Sequence, residues 1–466
     1  MTPMPPPRIQ TPTTPAARHP ARGRRGSVLI VALLVAALIA LVLGSYLSLN
    51  LGTARLAQRT FDRGAAFHLA EAGLEEGLWT YNRLLAGHAD AWSEWRTTGD
   101  AAWRRLEGFR LSAATAGDIK IYASPLRPAE TDRPVLVALA SVRSPGGAPV
   151  TQMIETTLRR RSFFAAGLVA RESLVFRGSN TSFDSWNSDP DADPATPAVP
   201  YHEDLAADTG SVATGALDNP NAALNQARIH GFFHTSGLVP DVGARGFIGP
   251  FGTPEGEIDP SRLSFNFYAD FPSVVAPSDG ELITEFGPTL GTPGTATSWR
   301  APALHLNGAH TLTIQGDVTL VLTEPTTSLS LRGRASILIP EGSSLTLYVA
   351  GDVALGGNGL LNANAAPAAF QLWSIAALGN SQSVGIVGNG SLSGVIYAPE
   401  AEVTVNGNGE VAGAIVARKL TFTGNAAFHH DLALARLHRH APFRADGWRT
   451  VDTPEARATW LPLVDR

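Results

Sequence analysis

Residues 22–81 read RGRRGSVLIVALLVAALIALVLGSYLSLNLGTARLAQRTFDRGAAFHLAEAGLEEGLWTY. The run joins a basic leader, an apolar stretch and an amphipathic helix without a break. No charged residue stands between Gly26 and Ala54, and about 20 apolar helical residues are enough to cross the hydrocarbon layer of a bilayer. A secretory signal would end there, with a short apolar core and a small-residue cleavage site. Here the helical spacing continues: Phe67, Ala70, Leu74, Leu78, Tyr81 and Leu85 fall at steps of three and four, on one helix face. At ~1.5 Å per residue the expected rod reaches ~90 Å from the inner edge of the membrane.

Two parts of this run carry a family resemblance. The Arg24-Arg25-Gly26 junction before Ser27, and FHLAEAGLEEGL with its core Ala70-Glu71-Ala72-Gly73-Leu74-Glu75, resemble the N-terminus of type IV pilin-like proteins. The resemblance is nearest to PilX-type minor pilins and K-type pseudopilins of type II secretion. It implies that a prepilin peptidase cuts on the cytoplasmic side, between Gly26 and Ser27, with Arg22, Arg24 and Arg25 as the membrane flank. Major pilins carry glutamate at mature position five, where this chain has Val31. An unpaired carboxylate in lipid is costly and needs a partner; its absence fits an accessory or tip subunit. A plain uncleaved membrane anchor is the alternative reading of the same stretch.

Composition bounds the rest. With 466 residues there is room for two or three domains. Met1–Arg25 holds seven prolines, five arginines and no acidic residue, which predicts a disordered leader on the cytoplasmic side and a periplasmic or exterior bulk. Zero cysteines exclude disulfides and thiolate metal sites. A net charge of -5 gives no reason to expect nucleic acid.

After the helix, 109–161 reads as strands. Phe109-Arg-Leu-Ser and Asp118-Ile-Lys-Ile-Tyr alternate, Pro134–Val142 is almost wholly apolar, Ser144-Pro-Gly-Gly marks a turn, and Val150–Leu158 returns. The expectation is a small antiparallel meander beside the helix.

From about Leu304 to Asp431 glycines punctuate short β-branched strands at Gly316, Gly333, Gly351, Gly388, Gly407 and Gly424, at steps of 17, 18, 37, 19 and 17. A period near 18 residues with three strands per turn predicts a parallel, right-handed β-solenoid. Val318, Leu320 and Leu322, then Leu345, Leu347 and Val349, Val403 and Val405, and Leu420 and Phe422 are placed to point into one core. Asn-Gly and Gly-Asn pairs at 358–359, 389–390, 406–407 and 424–425 supply corners. Seven turns at ~4.8 Å would make a rod of ~35 Å. GLVARESLVFRGSNTSFDSW (Gly167–Trp186) matches GAIVARKLTFTGNAAFHHD (Gly413–Asp431), so one unit opens and closes the region. Between them, 187–300 reads as a loop-rich excursion whose best strand is Leu263–Tyr268. Ser182–Ser188 and Ile248–Ile258 resemble segments of an uncharacterised solenoid family attached to pilus-assembly proteins.

Candidates for chemistry are few. Asp189, Asp191 and Asp193 have the alternate spacing that opens a calcium loop, but Pro194 and Pro200 stand where its glycine and bidentate glutamate belong. A solvated acidic loop is the simpler reading. His429, His430, His438 and His440 could ligate zinc or copper, yet no helical H-E-x-x-H pattern accompanies them; 431–440 reads instead as a short helix capping the last coil. Glu400 and Glu402 are the nearest approach to a glycosidase carboxylate pair, with no basic partner beside them in the sequence.

The expected organisation is a leader (1–26), a transmembrane and amphipathic helix (27–86), a small pilin-like head (87–161), a solenoid (162–187 and 301–431) with a loop-rich insertion (188–300), and a cap (432–466). The fold class is mainly β with a long N-terminal helix. The expected role is non-enzymatic and without cofactor. The resemblance implies as partners the lipid bilayer, prepilin peptidase, other pilins and the inner-membrane assembly platform, with a surface glycan or protein for the solenoid. A membrane-tethered carbohydrate-active enzyme is the competing class. Gly44, Gly52, Gly64 and Gly73 cost the helix about 1 kcal/mol each relative to alanine, which suggests that some serve close packing.

Overall fold

The computed structural model describes residues 25–128, 132–193, 195–268, 271–356, 358–377, 379, 381–387, 392–407 and 410–465. Arg22, Arg24, Pro194, Gly388 and the 389–390 corner lie outside these. The chain is mainly β, with one long N-terminal helix, a small antiparallel sheet and a large parallel one.

Helix α1 runs Arg25–Leu85 without interruption. It contains the one helix among the described residues that is long and apolar enough to cross a membrane. Its C-terminal half lies on an antiparallel meander: β1 (Arg96–Thr98), β2 (Ala101–Arg110), β3 (Ala116–Ser124), β4 (Val135–Arg143) and β5 (Val150–Arg160), paired in that order. The alternation read in the sequence is the observed burial alternation of β3, where Ile119, Ile121 and Ala123 face inward.

The sheet has a sixth strand from the far end of the chain. Phe443–Thr450 pairs antiparallel with β5, and helix α2 (Pro454–Val464) covers the sheet face opposite α1 through Val464 and Trp460 on Val137, Leu139 and Met153. Residues 432–466 are therefore not a cap on the solenoid. Leu434 and Leu437 lie against its outer side, and the remainder completes the head, because β5 would otherwise present an open edge.

The solenoid is built from parallel strands stacked in register, with shifts where strands turn a corner, as between Gly291 and Ala296 and between Ala398 and Glu402. One column runs Glu281, Trp299, Leu320, Leu347, Leu372, Ile396, Ile415, Leu168, Val212, Phe233, Leu263, each paired with the next. Ten steps of ~4.8 Å give a rod of ~48 Å. A second wall stacks Leu304, Leu329, Val353, Val384, Val403, Leu420 and Leu174, and a third ends in Leu392, Val411, Phe428, Phe183, Ile229 and Ile248. Nearly all of these side chains form one continuous core.

Two sequence expectations change here. The glycine step of 18 is not a constant coil period: Val403 pairs with Leu420, Glu281 with Trp299, Val318 with Leu345 and Leu168 with Val212, steps of 17, 18, 27 and 44 residues. Corner loops vary in length, so Gly316, Gly333 and Gly351 mark different corners; Gly407 and Gly424 do stack. Nor is 188–300 merely an excursion. Ser211–Thr214, Arg228–His230, Phe232–Thr235 and Phe247–Gly249 continue the rod beyond Leu168, and Glu281–Leu282 followed by Thr289–Ala301 begins its other end. Their rungs are separated by polar loops, which hid the repeat. The strand expected at Leu263–Tyr268 is only Leu263–Ser264.

Rung order is thus circular. The chain enters at Leu168, winds to Leu263, returns along the outside of the rod to Glu281, and winds back until Ile415 lies on Leu168. That return segment buries Val274 and packs Phe267, Phe271 and Ala276 on Val321, Tyr348, Trp373 and Tyr397. The Tyr397 hydroxyl donates to the Pro272 carbonyl (2.9 Å). Stacked rings seal the joint, Phe176 on Phe422 (5.1 Å) and Phe183 on Phe428 (5.7 Å).

Candidate functional site

The helix motif is placed where α1 meets the sheet. Ala66, Leu69, Ala70, Gly73, Gly77 and Tyr81 form the buried stripe, against Ile119, Ile121, Leu136 and Ala138. A Cβ on Gly73 would lie 2.7 Å from Ile119 Cγ2 and 3.0 Å from Ala138 Cβ, and one on Gly77 2.6 Å from Leu136 Cδ2. The spacing Ala70, Gly73, Gly77 is what lets the helix lie this close. Larger residues of the predicted face, Phe67, Leu74 and Leu78, flank the stripe and are half-buried, while Leu85 is exposed. Leu74 and Leu78 line a cavity of about 290 Å³ with Glu71, Glu75, Thr156 and Trp448. Glu71 accepts from His68 (2.9 Å), and Ala72 and Glu75 are exposed.

Tyr81 anchors the end of the stripe. Its hydroxyl donates to the Pro125 carbonyl (2.7 Å), and burial pushes its pKa up. The next residue, Asn82, holds the last strand by two bonds: it accepts from the Phe443 amide (2.7 Å) and donates to its carbonyl (3.2 Å).

Sequence reasoning missed Asp62. It is 5% exposed and accepts from Gln58 Nε2 (2.9 Å) and Ser144 Oγ (2.8 Å), at the point where α1 leaves the head. A carboxylate soon after a long apolar run was visible, but its partner Ser144 sits in a turn remote in the chain. On the other side of that point Val28–Leu56 is exposed throughout, Val31 at 58%. Gly26 and Ser27 lie in the first turn of α1, next to Arg25.

The acidic triplet does not converge. Asp189 pairs with Arg436 (2.7 Å), Asp191 accepts from the Asp193 amide (3.2 Å) and Thr196 Oγ1 (3.0 Å), and Asp193 from the Ala195 amide (2.9 Å). These bonds hold Asp191 below the usual carboxylate range.

The histidines do not converge: His429 and His430 are buried, and His438 and His440 are half-buried. His429 Nδ1 meets Asp184 (2.6 Å) under the stacked ring of Tyr201, whose hydroxyl donates to the same carboxylate (2.9 Å). His430 Nε2 donates to the Phe164 carbonyl (3.2 Å), and burial lowers its pKa to about 4. His440 meets Tyr348 (2.7 Å) and is likewise lowered to about 4 by burial. No group of three or more such ligands able to hold a metal occurs among the described residues.

Glu400 and Glu402 do have basic partners, contrary to the sequence reading. Arg171 from the first coil binds Glu400, while Arg418 (3.1 Å) and Lys419 (2.9 Å) bind Glu402. The pairing was invisible because circular winding places residue 171 beside residue 400. Carboxylates committed to cations, Glu400 across the joint and Glu402 on the adjacent coil, are poorly placed for acid–base work.

A family model described as a domain of unknown function (DUF7305) matches residues 294–437, under a third of the chain. That stretch covers most coils on one side of the joint and none on the other. No curated protein matches. Among solved structures, the crystal structure of competence-associated pilin ComZ from Thermus thermophilus is similar at 10% identity, over 84% of this chain and 97% of that one, with a TM-score of 0.24. A likeness that slight supports no conclusion about fold or function.

Proposed function

We propose that this chain is a non-enzymatic, minor-pilin-like component of a type IV pilus or related secretion filament. The observation that carries the reading is the division of α1: its first half is wholly exposed and apolar, and its second half is buried on an antiparallel sheet through the AEAGLEEGL glycines. Such a helix needs a lipid bilayer, and on assembly the helices of neighbouring pilins, to cover it. The solenoid joins the head near Asn82, at the end of α1 far from the apolar run, which suits display away from the membrane. Val31 instead of glutamate favours an accessory position over a bulk subunit. In this reading the N-terminus is cytoplasmic in the inner membrane, and the solenoid offers its surface to a glycan or protein.

N-terminal sequencing of membrane-extracted protein, with and without prepilin peptidase, tests this. The expected outcome is a start at Ser27 only when the peptidase is present. A start at Met1 in both samples would refute it. Gly44 has nothing within 4 Å, so Gly44→Leu should impair incorporation into a filament without changing membrane insertion.

A further inference from the structure

Arg160 ends β5 and Phe443 opens the last strand, and the two are directly paired. The whole solenoid is inserted between them. A parallel solenoid wound in simple order would finish ~48 Å from where it began, and both of its ends could not reach one hairpin. Circular winding removes the difficulty, because the first and last coils are neighbours: Leu168 lies on Ile415 and Ser182 on Ala427.

The outgoing and returning linkers are tied together at this joint. Ser162 Oγ donates to the Leu434 carbonyl (2.7 Å), His430 Nε2 to the Phe164 carbonyl (3.2 Å), and Arg160 Nε to the Ala441 carbonyl (3.0 Å). With the joint closed, the solenoid acts on the head as a tight turn would. With it open, β5 and the last strand are joined only through the inserted residues 161–442, and a fully flexible loop of that length sets the upper bound on the loss. Loop closure scales with the three-halves power of length, so the last strand would be presented to β5 ~10³-fold less effectively than through a two-residue turn.

That strand and α2 complete both faces of the head. Trp448 packs on Phe67 (5.5 Å), Asn82 holds Phe443, and Val451 and Val464 cover Val137 and Met153. We infer that closure of the solenoid joint is a checkpoint on the head: only a chain whose first and last coils have met carries a completed sheet beneath α1. This coupling does not depend on what the helix assembles with.

The test uses the full chain, which has no cysteine. Arg159→Cys with Arg444→Cys, directly opposed in the sheet, reports docking of the last strand as a disulfide formed under mild oxidation. Crosslinking is followed through a urea titration in three backgrounds: the parent, Phe422→Ala at the joint, and Leu312→Ala in a terminal coil. Damage to a terminal coil stays local in a solenoid. Phe422→Ala should lose crosslinking at lower urea, by up to ~10³-fold in rate where the joint is open, while Leu312→Ala follows the parent. Equal behaviour of Phe422→Ala and the parent, or of the two variants, would overturn the inference. Hydrogen exchange in the parent gives an independent reading: the amides of Arg177 and Ile415, which donate across the joint to the Phe422 (2.8 Å) and Gly167 (2.7 Å) carbonyls, should open together with loss of the crosslink, and release of the strand before the joint opens would overturn it too.

Discussion

Arg160 and Phe443 stand opposite each other in adjacent antiparallel strands although the entire solenoid separates them in the chain. The head is therefore one sheet with a large insertion in its last hairpin. The rod is held at its joint, with seven rungs on one side, Glu281 to Ile415, and four on the other, Leu168 to Leu263.

Because the pair is already in hairpin register, the insertion should be dispensable for the head. Replacing 161–442 by Asn-Gly, the pair favoured in two-residue hairpin turns, should leave a head that unfolds cooperatively in detergent. Loss of the cooperative transition, seen by circular dichroism against urea, would show that the head needs contacts from the solenoid itself.

The helix glycines divide into two kinds. At Gly73 a new Cβ meets Ile119 and Ala138, and overpacking costs about 1–3 kcal/mol against a propensity gain of about 1 kcal/mol. Gly73→Ala should therefore destabilise the head by ~1 kcal/mol. Gly64 has nothing within 4 Å, so Gly64→Ala should stabilise it by up to ~1 kcal/mol. Denaturation midpoints of the two variants should move in opposite directions.

Local periodicity made the long helix, the meander and the solenoid class readable, since each depends on spacing within about ten residues. Circular winding was not readable, although the match of Gly167–Trp186 to Gly413–Asp431 carried the clue. By sequence alone the similarity reads as equivalent coils at the two ends of a region; in space it means adjacent coils. The same blindness hid the Arg171–Glu400 pair and the Asp62–Ser144 bond, whose partners are set by tertiary contact alone. The glycine count misled because corners of unequal length carry no period, whereas the inward residues of the strands do.

Acid should weaken the fold through His430 and His440. Each titrates near 4 in the fold against 6.5 in the unfolded chain. Between those values the unfolded chain binds the extra proton, so stability is full above 6.5 and falls as pH drops towards 4. A shift of this size corresponds to on the order of 3 kcal/mol for His430. His430→Gln keeps a donor for the Phe164 carbonyl but takes up no proton, so its urea midpoint should vary less across that window. An unchanged slope would mean that His430 is not the group responsible.

The return segment on the outside of the rod has little slack. Glu281 stands seventeen positions after Ser264, and at ~3.3–3.6 Å per residue the chain reaches ~56–61 Å across ten rungs of ~4.8 Å. Deleting Val275–Ser278 leaves a reach of ~43–47 Å, short of the ~48 Å span. Pairing must then fail at one end, Glu281 with Trp299 or Phe233 with Leu263, and amide exchange there should become fast while the cross-joint amides of Arg177 and Ile415 stay protected. Inserting four Gly/Ser residues after the exposed Val275 should do almost nothing, since doubling a loop costs only about 0.6 kcal/mol. Equal tolerance of the deletion and the insertion would show that the segment does not run the length of the rod.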